Sequence, residues 1–387
     1  MTESNVPKNF LQTLKPRLPE MISTLRQFVV AESPSLEKAP ADLCCTIIAE
    51  EWAKRGVRVD RLKQKRHGDQ LRFTYWPHSG RPAGQLLILG HYDTVYATGT
   101  LAKMPFRVSG GKIFGPGTFD MKAGIVQGLF ALDAIQQNAA ALRRRLVFLW
   151  TSDEEIGSEA SRKTIEEEAR RSDAVFVLEP SFGPKGLLKT ARKGVGEAEL
   201  IVHGRSSHAG LAPQEGINAI HELAKQIERI QPWNDPERGI SVNVCVTEGG
   251  TRTNVIPECA RALFDLRALR ATDMRNLERR LHALKPVLRG AKLVVKGGFS
   301  RAPLEHKVTG ALYARAQSLA ALMGLPLGEC TVGGGSDGNL TGALGVPTLD
   351  GLGAVGDGAH STQEHVIAST MPERAALLAA LLSTIQS

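Results

Sequence analysis

The sequence predicts an α/β domain with a mostly parallel central sheet, interrupted by a smaller α+β domain of ferredoxin-like order. Three observations predict it. First, QLLILG (85–90), RLVFLW (145–150) and AVFVLE (174–179) are continuous apolar runs, the pattern of strands buried on both faces. Second, these runs alternate with segments of helical periodicity, as parallel sheets require. Third, EAELIVHG, ISVNVCVTEG, CARALFDLRA and AKLVVKGG read as strands bracketing helices near 215–230 and 272–284. That is the β-α-β-β-α-β order of a two-layer sandwich. The boundaries expected are residues 1–190 and 303–387 for the discontinuous α/β domain and 191–302 for the insertion.

In chain order, 18–31 and 41–55 carry apolar residues at helical spacing, and Gly56 supplies a C-terminal stop. VRVDRL and RFTYW read as strands. A helix is expected from about Lys122 to Gln137, and a charged one over 159–171. After the insertion come a helix at 306–323, a short strand near 346–349 and a final helix at 372–385.

Composition narrows the function classes. The chain has 387 residues, 42% hydrophobic and 23% charged, with 48 Lys+Arg against 40 Asp+Glu. These values exclude a disordered, collagen-like or coiled-coil chain. No apolar run reaches the roughly 20 residues of a membrane span, so no membrane partner is expected. The opening residues carry no apolar secretory segment, and the expected location is cytoplasmic. The five cysteines show no C-x-x-C spacing, which argues for buried free thiols over disulfides or a thiolate metal site. The basic stretch from Arg58 to Arg72 has no nucleic-acid motif beside it and is read as a solvated charged face, so no nucleic acid is expected. GGGSDGN (333–339) is glycine-rich but lacks the G-K-[ST] of a phosphate loop.

The chemistry-bearing residues fall where predicted strands end, the edge at which open α/β sheets bind ligands. They are His91-Tyr92-Asp93, Asp120 in GPGTFDMKAG, Asp153-Glu154-Glu155, Glu179 before Pro180, and His360 in a glycine-rich loop. Each alone has an ordinary reading. Asp120 could cap a helix, and Asp-Glu-Glu suits a helix N-terminus. Together, imidazole nitrogen and carboxylate oxygen suit a first-row metal such as zinc. In His91-x-Asp93 the carboxylate can orient the imidazole. Adjacent Glu154 and Glu155 point apart, so one can bind metal while the other serves as base. A carboxylate such as Asp120 can bridge two ions about 3.5–4 Å apart.

The ordered set HYDTV, GPGTFDMKAG, TSDEEIGS, LEP, GRSSHAG, TNVIP, GGGSDGN and GAHS resembles the two-zinc metallopeptidases that include aminoacylase, succinyl-diaminopimelate desuccinylase, peptidase T and bacterial glutamate carboxypeptidase. Within that family HYDTVYATGTLAK and LAKMPFRVSGGKIFGPG are similar to the glutamate carboxypeptidase (carboxypeptidase G type) group. The resemblance implies two zinc ions, with cobalt or manganese as substitutes, and these roles. His91 and Glu179 would hold one ion, Glu155 and His360 the other, and Asp120 both. Asp93 would orient His91. Glu154 would take the proton of the attacking water and pass it to the leaving amine. The Asp120-Met121 bond would be cis.

The inserted domain resembles the family's lid and dimerisation domain, implying a homodimer. His208 would steady the oxyanion in the partner's site. Asn254 and Arg267, with Arg301 and Gly335, would receive the substrate's free carboxylate. The expected reaction is hydrolysis of an amide bond next to a free carboxylate, in an N-acyl amino acid or a short peptide. An N-acyl-amino-acid deacylase or dipeptidase is the alternative. A non-catalytic metal-binding regulatory relative is the alternative from another class.

Overall fold

The computed structural model describes residues 5–138 and 142–385. The chain divides into two compact units. The first comprises residues 1–190, 306–331 and 336–387; the second comprises 191–305 and 332–335.

The first unit is built on a six-stranded sheet in the order Arg58–Leu62, Gln70–Tyr75, Arg144–Thr151, Gly84–His91, Ala174–Val177, Thr348–Leu349. The last four strands are parallel, and the first two run antiparallel to their neighbours. Leu86, Leu87, Ile88 and Leu89 are all fully buried, because helices cover both sheet faces. One face carries Ala123–Gln137, Met371–Thr384 and the N-terminal helices. Arg162–Arg170 and Asp337–Ala343 lie on the other, packed through Ile165, Ala169 and Leu340. Trp52 anchors the first layer, its ring stacked on Phe73 at 4.7 Å and edge-on to Trp150 at 5.5 Å.

A helix at Val6–Leu14 and a second small sheet escape the sequence reading. That sheet orders Gly356–Asp357, His365–Ile367, Lys112–Phe114 and Arg107–Ser109, strands of two or three residues too short to show a period.

The second unit is an antiparallel sheet in the order Ser241–Gly249, Cys259–Ala268, Gly194–His203, Lys292–Arg301. Helices Ala219–Ile230 and Ala271–His282 complete the ferredoxin-like order. Along Cys259–Ala268 burial alternates, with Ala260, Ala262, Phe264, Leu266 and Ala268 inward, so this sheet is covered by its helices on one face.

Two composition readings are refined. All five cysteines are free, but only Cys44 and Cys45 are buried; Cys245 and Cys259 are exposed. The basic stretch is partly ion-paired. Buried Asp69 takes ion pairs from Lys38 (3.0 Å), Arg61 (2.7 Å) and Lys63 (2.9 Å), while Arg72 pairs with Asp60 and Glu168. Among the described residues no helix is long and apolar enough to cross a membrane.

Candidate metal centre

Strand Gly84–His91 delivers His91 to the carboxyl edge of the large sheet, where Met121 underlies it. Met121 Sδ accepts the His91 N–H at 3.3 Å, and a Cβ on Gly90 would stand 2.5 Å from Met121 Cε. Gly90 thus leaves room for the Met121 side chain to pack against the strand. That turn contains the cis bond Asp120-Met121. Behind it, buried Lys122 donates from Nζ to the carbonyls of Phe28 (2.9 Å) and Ala31 (3.0 Å), tying the turn to helix Leu18–Val30. Glu155 follows strand Arg144–Thr151 on a single 3₁₀ turn, Glu179 follows Ala174–Val177, and His360 sits in a loop with φ 61°.

These elements bring the five sequence-selected residues into two triads that share an aspartate. In the first, His91 Nε2 lies 3.3 Å from Asp120 Oδ1 and 3.4 Å from Glu179 Oε1. In the second, His360 Nε2 lies 3.1 Å from Glu155 Oε2 and 3.5 Å from Asp120 Oδ2. One ligand atom per residue in each triad falls within 4.8 Å of the others. Asp120 thus turns one oxygen to each triad.

A metal ion fits this donor set. His91 Nε2 and Asp120 Oδ1 are buried and lack any hydrogen-bond partner, a costly state that a shared cation removes. The electrostatics point the same way. Burial opposes a charge on His91, yet Asp120, Asp93 and Glu179 together raise its pKa well above the usual value. Asp120 and Glu155 raise His360 to about 10. Burial pushes Glu155 up. The crowded carboxylates thereby favour positive charge at the imidazoles.

Asp93 is placed differently from a simple partner of His91. The imidazole Nδ1 is 3.1 Å from the Asp93 backbone carbonyl and 3.4 Å from its carboxylate. The carboxylate accepts the Ser35 hydroxyl (2.7 Å) and the N–H groups of Glu154 and Glu155, both at 3.3 Å. Burial opposes its ionisation, but His91 and these donors hold its pKa below the usual value. Asp153 Oδ2 accepts the N–H groups of Ala160 (2.7 Å) and Ser161 (3.2 Å), which lead into helix Arg162–Arg170. Asp337, from GGGSDGN, binds the hydroxyls of Ser158 and Thr151. Ser35 and Asp337 are absent from the sequence-derived site. Neither sits beside a metal-binding residue type, and only the fold joins them to it.

The other candidates lie in the second unit. His208 is exposed, and its Nδ1 accepts the N–H groups of Gly210 (3.2 Å) and Leu211 (3.1 Å). Its imidazole, when neutral, is thereby fixed as the Nε2–H tautomer, a donor. The exposed Asn254 is beside it, its carbonyl accepting the Ala209 N–H at 2.9 Å. Arg267 is engaged by Asp265, two residues away on the same strand face (Nη2–Oδ2 2.8 Å). Arg301 is buried at the end of its strand. The Gly335 carbonyl accepts from Arg192 at 3.2 Å.

Fold and site together define the class, a metal-dependent peptidase. The family model described as Peptidase family M20/M25/M40 matches residues 87–384, and the chain belongs to that family. Carboxypeptidase G2 of Pseudomonas sp. (strain RS-16) is 30% identical over 374 residues, covering 94% of this chain and 89% of that one. Among solved structures, aminopeptidase PepT from Bacillus cereus ATCC 10987 is similar with a TM-score of 0.78 and 22% identity, over 95% of this chain and 98% of that one. The Bacillus subtilis YXEP protein, a dinuclear metal binding peptidase from the M20 family, is similar with a TM-score of 0.69 and 16% identity, over 97% and 99% of the two chains.

Proposed function

We propose that this metallopeptidase is glutamate carboxypeptidase-like, cleaving an amide bond adjacent to a free carboxylate. One observation carries the reading: two donor triads meet on the two oxygens of Asp120 in a chain 30% identical to carboxypeptidase G2. His91, Asp120 and Glu179 would hold one zinc ion, and Asp120, Glu155 and His360 the other; cobalt or manganese would substitute. When bound, such a pair supplies Lewis-acid polarisation of the carbonyl and activation of water.

The remaining work belongs to the chain. Glu154 takes a proton from the attacking water and returns it to the leaving amine. Asp93 holds the turn that aims Glu154. His208 donates from Nε2 to the developing oxyanion, serving the partner's site in a homodimer formed through the second unit. Asn254, Arg267, Arg301 and the backbone at Gly335 receive the substrate carboxylate. Arg267 must exchange Asp265 for it, a swap between two carboxylates that keeps the guanidinium paired.

The test is a panel of acyl-glutamates, N-acetyl amino acids and dipeptides offered to the zinc-loaded protein. Preferential turnover of acyl-glutamates is expected. Preference for N-acetyl amino acids or dipeptides would assign a deacylase or dipeptidase. No turnover with both ions bound would assign a non-catalytic relative.

A further inference from the structure

Glu364 is a fully buried carboxylate that the mechanism above does not use. Burying a carboxylate is costly unless its oxygens are satisfied, and here the donors come from two segments other than its own. Oε1 accepts the N–H groups of Phe119 (2.8 Å) and Asp120 (3.0 Å). Oε2 accepts the Gly117 N–H at 3.1 Å and stands 2.7 Å from the Tyr96 hydroxyl. The same hydroxyl is 3.0 Å from the Ser361 carbonyl. Gly117 allows this grip because its φ is 71° and a Cβ there would meet Thr94 at 2.5 Å.

The three segments are the ones that carry cation donors. Tyr96 lies just beyond His91 and Asp93. Gly117–Asp120 is the turn bearing the shared aspartate. Ser361 and Glu364 follow His360 directly. His360 is half exposed and has a left-handed backbone, in the loop between the paired strands Gly356–Asp357 and His365–Ile367. Beside the pairing of His365–Ile367 with Lys112–Phe114, the hydrogen-bonded join through Tyr96 and Glu364 ties that loop to the Asp120 turn.

We propose that Glu364 is a positioning residue for the cation pair: without being a ligand, it sets the separation of Asp120 and His360. The inference rests on the two triads holding cations. A Gln at 364 would turn its NH2 toward one pair of donors. The favourable orientation keeps Oε1 on Phe119 and Asp120, lets the Tyr96 hydroxyl accept, and strands the Gly117 N–H. The ligands all remain, but the His360 loop loses a charge-assisted bond.

The experiment titrates metal-stripped, full-length protein with Zn²⁺ against a chromophoric chelator, and records thermal unfolding of the same metal-free samples. Wild type is expected to bind two ions. Glu364→Gln should weaken the second by about 10–100-fold, the usual cost of removing a group that orients a ligand. Its metal-free unfolding temperature should fall far less than that loss implies. Tyr96→Phe, which keeps the carboxylate, should weaken the same ion by a smaller factor and serves if Glu364→Gln does not fold. Wild-type affinity for both ions in either folded variant would overturn the positioning role. Wild type that binds no zinc would instead overturn the metal reading on which the role rests.

Discussion

Asp93 holds Glu155 by its backbone. The Asp93 Oδ2 accepts the Glu155 N–H at 3.3 Å while Oδ1 accepts that of Glu154 at the same distance. A residue two positions past His91 thus fixes the turn that presents both Glu154 and Glu155. Asp93→Ala should cut zinc affinity and kcat by about 10–100-fold each, because the turn loses its anchor while every ligand remains. Asp93→Asn, which can still accept on one oxygen, should fall between Asp93→Ala and wild type. Metal titration and steady-state kinetics on the three proteins check this order.

The proposed mechanism gives adjacent Glu154 and Glu155 separate duties. Glu154→Gln should leave two bound ions and lower kcat by about 10²–10⁴-fold, the range for loss of a positioned general base. Elemental analysis beside kinetics decides: lost metal would make Glu154 a ligand, and retained activity would remove it from the proton path.

His208 is solvent-exposed, with Nδ1 saturated by two backbone N–H groups. His208→Ala should therefore cost about 10²–10³-fold in kcat, as an oxyanion donor does, while the unfolding temperature moves by about 2 °C or less. Mixing this variant with an inactive Glu154→Gln protein tests action across subunits. Restored turnover in the mixed dimer is the expected result.

Asp69, which belongs to neither donor triad, gives a pH-dependent prediction. Burial opposes its ionisation, but the Gln64 N–H with Lys63, Lys38 and Arg61 outweighs burial and holds the carboxyl far below the usual range. A folded pKa below the unfolded value stabilises the protein above the unfolded pKa of about 3.9, and the stabilisation is lost as pH falls through the folded value. Asp69→Asn should cost about 2 kcal/mol at pH 7, moderated because Arg61 and Lys63 reach solvent. The difference from wild type should shrink progressively below about pH 4. Urea denaturation of metal-free protein across that range measures it.

Much of this molecule is written locally. The buried strands could be read because apolar runs report double-sided burial, and their ends could be read because His, Asp and Glu interrupt those runs at a sheet edge. The Arg267–Asp265 pair is legible in principle too, since residues two apart on a strand share a face. The short strands Gly356–Asp357 and His365–Ile367 were not, because two or three residues carry no periodic signal.

The sequence by itself determined the two-unit α/β plan, the family, and the residue types at each strand end. Those depend on periodicity and side-chain chemistry within a few neighbours. Only the tertiary structure decided that Asp120 faces His91 with one oxygen and His360 with the other, that Asp93 grips the Glu154–Glu155 turn, and that Glu364 joins segments beginning at Tyr96 and Gly117. These relationships link residues from about 30 to about 270 positions apart. Contacts at that range form only once packing has brought the strand ends together.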